Sequence, residues 1–198
     1  MPTIFSHAFF GVAVGSGFLP GRLRYRFLVL TALCTVLPDV DVIGFAFGVN
    51  YGSVLGHRGI THSIIFALLL GSLVAAFCFK GLDVPRWKLA TYFSAVTFSH
   101  SLLDMLTNGG LGVALFAPFS NGRFFFPWRP VQVSPIGTGF FSERGVSVMI
   151  SELVWIWVPA VMIAAVLWVV LRSSVRDRPS RRRSKPDTSL PMTSGEDV

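Results

Sequence analysis

Metal ligation is the chemistry most visible in this chain. Its four histidines are His7, His57, His62 and His100, and three aspartates, Asp39, Asp41 and Asp104, stand in or beside strongly apolar sequence. Ionisable groups at membrane depth are costly to keep and mark functional sites. The densest stretch is Gly56-His57-Arg58-Gly59-Ile60-Thr61-His62-Ser63, which packs two imidazoles, a guanidinium and two hydroxyls together. His100 and Asp104 form a His-x-x-x-Asp pair, so a helix would place both on one face about 6 Å apart along its axis. A histidine paired with a carboxylate inside a helix bundle would look the same.

Asp39 and Asp41 follow Pro38 at a spacing of two, which in a regular helix aims them at different faces. A helix broken at the proline would let both face one cavity, although Asp39 could equally cap the next helical piece. His57 and His62 lie five apart, off a single helical face, so at least one comes from a loop. Thr61 or Ser63 can cap the helix that follows. His7 taken alone reads as hydrogen-bonded packing. Jointly these nitrogen and oxygen donors suit a divalent metal, zinc first and manganese or iron next, and do not suit copper(I) thiolate. Seven donors exceed the three or four of one catalytic zinc, which implies two or more ions or a layer of orienting partners. Arg58 and Asp39 are the candidate catalytic residues, with Arg58 holding a phosphate or carboxylate and steadying developing charge. Arg123 and Arg129 are ordinary loop cations that could do likewise. Glu152 is a further ligand or base, or an interfacial carboxylate near a helix start. The chain has no Gly-x-Ser-x-Gly elbow, Walker loop or His-Glu-x-x-His.

These residues must be positioned by helices in a membrane. The 198 residues are 52% apolar and only 14% charged, with a mean hydropathy of +0.63. A water-soluble surface needs more charge. The pattern predicts an all-α, polytopic membrane helical bundle of about five spanning or re-entrant helices, at 4–20, 27–49, 62–79, 89–107 and 148–171. Residues 108–147, rich in Phe, Pro and Gly, read as an irregular aromatic outer loop. The membrane-embedded domain covers 1–171, and 172–198 is a disordered basic cytoplasmic tail. Its Arg172, Arg176, Arg178, Arg181, Arg182, Arg183 and Lys185 sit where anionic lipid attracts them, so membrane lipid is the expected partner and nucleic acid is not. Cys34 and Cys78 fall in apolar segments as small core residues. The first basic residue is Arg22, so no cleaved signal peptide is expected. Alternating five spans with the tail inside puts thirteen of the seventeen Lys and Arg on the cytoplasmic side and the N-terminus outside. His7, Asp41, His57, His62, His100, Asp104 and Glu152 then meet near the outer surface.

His7, Leu37-Pro38-Asp39-Val40-Asp41, the string from His57 to Ser63, and Ser99-His100-Ser101-Leu102-Leu103-Asp104 together resemble the YdjM-like family of bacterial and archaeal inner-membrane proteins, over most of residues 1–155. The resemblance implies a helical, membrane-embedded, metal-dependent hydrolase. A fainter similarity, in the order Asp, His, His-x-x-x-Asp, is to the zinc phospholipase C and P1 nuclease group, all-helical enzymes that use several zinc ions to cleave phosphoesters. That group's later His-x-x-x-Glu pair has no obvious counterpart. The expected substrate is a phosphoester, small or lipid-linked, met at headgroup level. The alternative is a divalent-metal transporter or a metal-binding membrane protein without hydrolysis.

Overall fold

Thr3 opens α1 (Ile4–Gly15) by accepting the Ser6 N–H on its hydroxyl at 3.3 Å, which satisfies one of the helix's orphan donors. α2 (Arg24–Val36) runs into Pro38, whose missing N–H ends the α-helical register. The chain continues as a 3-10 stretch, Leu37–Phe47, and stops at Gly48, which adopts φ +74°. Ser63 caps α3 (Ile64–Cys78) by accepting the Phe66 N–H at 3.1 Å. α4 (Arg86–Met105) starts after Pro85. α5 (Glu143–Glu152) passes through a π-helical turn, Leu153–Trp157, into α6 (Val158–Arg176). Among the described residues there is no strand; isolated bridges tie Thr107 to Val131 and Val113 to Phe124 and so pin the aromatic loop.

The computed structural model describes residues 1–16, 24–80, 84–135 and 137–176. Residues 177–198 of the expected basic tail, and Arg22 with Leu19-Pro20-Gly21, lie outside them. The most extensive helix contact is α3 on α4. It needs Gly71, because a Cβ there would collide with the Ser94 backbone. Small residues let apolar helices approach this closely. Apolar packing concentrates on the early half of α4, where Leu89, Phe93 and Val96 meet Phe27, Cys34, Val74, Ala75 and Phe79. The late half of α4 carries His100 and Asp104 instead.

The hydropathy pattern predicts about five spans, whereas two helical stretches are both long and apolar enough to cross a bilayer, Arg24–Phe47 and Glu143–Val170. α1 has 12 residues and α3 has 15, short of the roughly 20 that a span requires. α4 has the length, at 20 residues, but carries Arg86, Lys88, His100 and Asp104.

Candidate metal centre

His100 and Asp104 share one face of α4, and both are fully buried. The His100 ring is fixed by its Nδ1–H, which donates to the Thr35 carbonyl at 2.7 Å. That carbonyl is on offer where α2 gives way: Pro38, three residues on, has no N–H for it in the 3-10 register. His100 Nε2 therefore presents a lone pair inward. His62, on the short turn Ile60–His62, is held the same way round. Its Nδ1 lies 3.0 Å from Thr61 Oγ1 and 3.2 Å from Asp41 Oδ2, which leaves Nε2 for the interior.

The two inward nitrogens lie 3.0 Å apart. Asp39 Oδ1 is 3.6 Å from His62 Nε2 and 3.4 Å from His100 Nε2. Asp104 Oδ2 is 3.3 Å and 3.9 Å from the same atoms. All four donors lie within 4.8 Å of one another. Metal–ligand bonds of about 2.0–2.1 Å in a tetrahedron give edges of roughly 3.3 Å, so these separations fit one ion. Both oxygens of Asp39 and of Asp104 are buried without a hydrogen-bond partner. Four acceptors facing one another cannot satisfy themselves, and buried polar atoms rarely go unpaired. A cation at their centre resolves the conflict. A proton on His62 does so in part: burial pushes its imidazolium down, but Asp104, Asp39 and Asp41 outweigh that and hold it well above the usual imidazole range.

Asp41 lies one layer out. It accepts from His57 Nδ1–H at 2.7 Å, from the Arg58 N–H at 3.1 Å and from Thr61 Oγ1–H at 2.6 Å. Asp41, His57 and His62 form a second group of ligand type, and as bonded here they orient the His62 ring. Carboxylates behind a ligating histidine act in this way. His7 stacks on His100, with ring centroids 3.8 Å apart, and its Nε2 lies 3.7 Å from Asp104 Oδ1. Both of its nitrogens are buried and unpartnered, so His7 borders the centre as a further donor.

Arg58 corrects the sequence reading. Its side chain is fully buried and its φ is +61°, a strained left-handed value for a non-glycine residue. Nε faces Asp104 Oδ2 at 3.0 Å, Nη1 donates to the Gly109 and Leu111 carbonyls, and Nη2 donates to Thr107 Oγ1. With its donors spent on protein, Arg58 positions Asp104 and is not placed to grip a substrate. Arg123 reaches five carbonyls, those of Tyr51, Ser53, His57, Arg58 and Gly112, and so holds the loop in shape. Arg129 lies over the Phe125 ring at 4.8 Å. Glu152 is not with the metal donors. Its carboxylate accepts from the Thr3 N–H and hydroxyl, both at 2.6 Å, and from the Ser6 hydroxyl, tying down the start of α1.

The structure thus gathers Asp39, His62, His100 and Asp104 at one point, with His7 on its edge, Asp41 and His57 behind His62, and Arg58 behind Asp104. Sequence reasoning missed the supporting work of Thr61, Thr107 and Arg123. Thr61 had a local signal in its place beside His62, and the other two had none.

The model of the YdjM inner membrane protein family matches residues 1–175. Inner membrane protein YbcI of Escherichia coli (strain K12) is 38% identical over 173 residues, covering 85% of this chain and 98% of that protein. No solved structure matches the chain.

Proposed function

The chain belongs to the YdjM inner membrane protein family, and from that premise we propose that it is a metal-dependent hydrolase that cleaves a phosphoester at the outer face of the membrane. The observation that carries this reading is the convergence of four buried acceptors, Asp39 Oδ1, His62 Nε2, His100 Nε2 and Asp104 Oδ2, from three separate segments. Those four would hold the ion, and two imidazoles with two carboxylates suit zinc first. A divalent cation held there supplies charge stabilisation and a nucleophile at neutral pH.

The remaining work falls to the chain. Asp39 is the donor on the open side, where it lines a cleft of about 250 Å³ together with Thr3, Ile4, Val42 and Ser134. In hydrolysis a water oxygen bonds to phosphorus and the bond from phosphorus to the leaving oxygen breaks. One water proton passes to Asp39 Oδ2, which has no protein partner, and on to the leaving group. Arg58 Nε, 3.0 Å from Asp104 Oδ2, gives that carboxylate a buried counter-charge. Sidedness draws on α4 itself: Arg86 and Lys88 at its start favour the cytoplasm, which sends His100 and Asp104 outward.

A transport reading needs polar groups that continue past the centre. The Thr31, Thr35 and Thr97 hydroxyls donate back to Phe27, Ala32 and Phe93 of their own helices, and Thr31 Oγ1 also meets the Tyr92 hydroxyl at 3.0 Å. The apolar cluster around Phe27 and Phe93 lies beyond them. This favours hydrolysis over transport. Metal analysis of the purified chain, with bis(p-nitrophenyl) phosphate as reporter, tests the proposal. About one ion per chain and measurable turnover are expected, with both lost in His100→Ala. Folded, metal-free wild-type protein would end it.

A further inference from the structure

Two cavities meet at one ring. The cleft that contains Asp39 is bounded by Phe140, and Phe140 also lines a larger groove of about 730 Å³ that runs along α5 to Leu153 and Trp157. That volume falls within the roughly 300–1,000 Å³ of ligand pockets. The groove walls are Val146, Met149, Ile150, Leu153 and Trp157, with Ser142 and Glu143 at the end. Val146 is 61% exposed and Ile150 59%, so apolar side chains stand open beside the metal-side cleft. The wall is built in: Gly145 lets the Phe140 carbonyl press on α5, where any Cβ would collide with it. The groove also opens along Glu143–Val170, one of the two stretches fit to cross a bilayer.

We infer that the substrate carries a hydrocarbon tail, which lies in the α5 groove while its phosphoester enters the Asp39 cleft past Phe140. This rests on the hydrolase reading and narrows it to tailed phosphoesters. Three features select this occupant. The groove adjoins the metal-side cleft, with Phe140 lining both. Its walls are apolar along their length and polar only at Ser142 and Glu143. Its α5 wall belongs to Glu143–Val170, a stretch long and apolar enough to cross a bilayer.

The test compares two chromogenic diesters with one leaving group, p-nitrophenyl ethyl phosphate and p-nitrophenyl octyl phosphate, on the full chain held in amphipol and loaded with zinc. The octyl ester should show a kcat/KM about tenfold or more above the ethyl ester, because extra methylenes leave water on binding. In Ile150→Trp, which fills the groove at an exposed position, the octyl-to-ethyl ratio should fall to near parity while bound zinc is retained. An octyl phosphate bearing a terminal diazirine provides a readout independent of turnover: it should label residues between Val146 and Trp157, and Ile150→Trp should reduce that labelling. Groove labelling without hydrolysis of either ester keeps the tail site and removes the hydrolase. Equal turnover of both esters, or labelling spread over the lipid-facing helices and unchanged in Ile150→Trp, overturns the tail site and leaves the hydrolase standing.

Discussion

Asp104 shows what a single buried charge demands of its neighbours. It lies between Arg58 Nε at 3.0 Å and the two imidazoles, and removing one side strands the other. Arg58→Met leaves Asp104 with no fixed counter-charge and should destabilise the metal-free chain by about 3–5 kcal/mol, read as thermal unfolding in detergent. Saturating zinc should recover much of that loss. Asp41→Asn keeps the shape but weakens the hold on the His62 ring, so zinc affinity should fall about 10–100-fold, measured by competition with a chelating dye, with little change in unfolding temperature. The residues of the centre were legible to different degrees. His100 and Asp104 announced themselves by a spacing that any helix turns into one face. Asp39 and Asp41 were readable as a pair needing a broken helix, and the 3-10 stretch places them on the two nitrogens of one imidazole. The duty of Arg58 was not legible, because the Thr107 hydroxyl and the Gly109 and Leu111 carbonyls that absorb its donors lie some fifty positions away.

Helices fix where those residues stand, and two of their contacts can be broken singly. Glu152 caps α1 from across the chain, and Trp157 Nε1–H donates to Ser6 Oγ at 2.7 Å beside it. Glu152→Ala leaves the buried Thr3 and Ser6 donors unsatisfied and should cost about 1–3 kcal/mol. It should also raise hydrogen exchange in α1, the helix that carries His7, before any other helix responds. Gly71→Val wedges α3 from α4 and should cost about 1–3 kcal/mol, with the same loss of unfolding temperature whether or not zinc is present. Starts and stops were readable where local chemistry makes them: Pro38 ends α2, Ser63 caps α3 and Pro85 precedes α4. The π-helical turn at Leu153–Trp157 was not, since nothing in an apolar run marks one extra residue per turn. Nor was the reach of Glu152 to Thr3, which depends on tertiary packing alone.

Taken whole, the molecule is held at its polar end by donors on the 3-10 stretch, the Ile60–His62 turn and α4, so a bound ion would join three segments that share little apolar core there. Removing the ion with a chelator should lower the unfolding temperature; at a hundredfold excess over Kd the loss corresponds to about 2.7 kcal/mol. Proteolysis should then begin in the loop carrying His57. The helix lengths carry a last consequence for the surroundings. At 12 and 15 residues, α1 and α3 measure about 18 and 22 Å, against roughly 30 Å of lipid hydrocarbon. On the multi-span reading of the sequence, fluid lipids bordering them would compress, or leave a dimple lined by water and headgroups. Phosphates would then descend toward Asp39 without leaving their own leaflet, and the choice of thin or thick lipids becomes a dial on how readily they arrive.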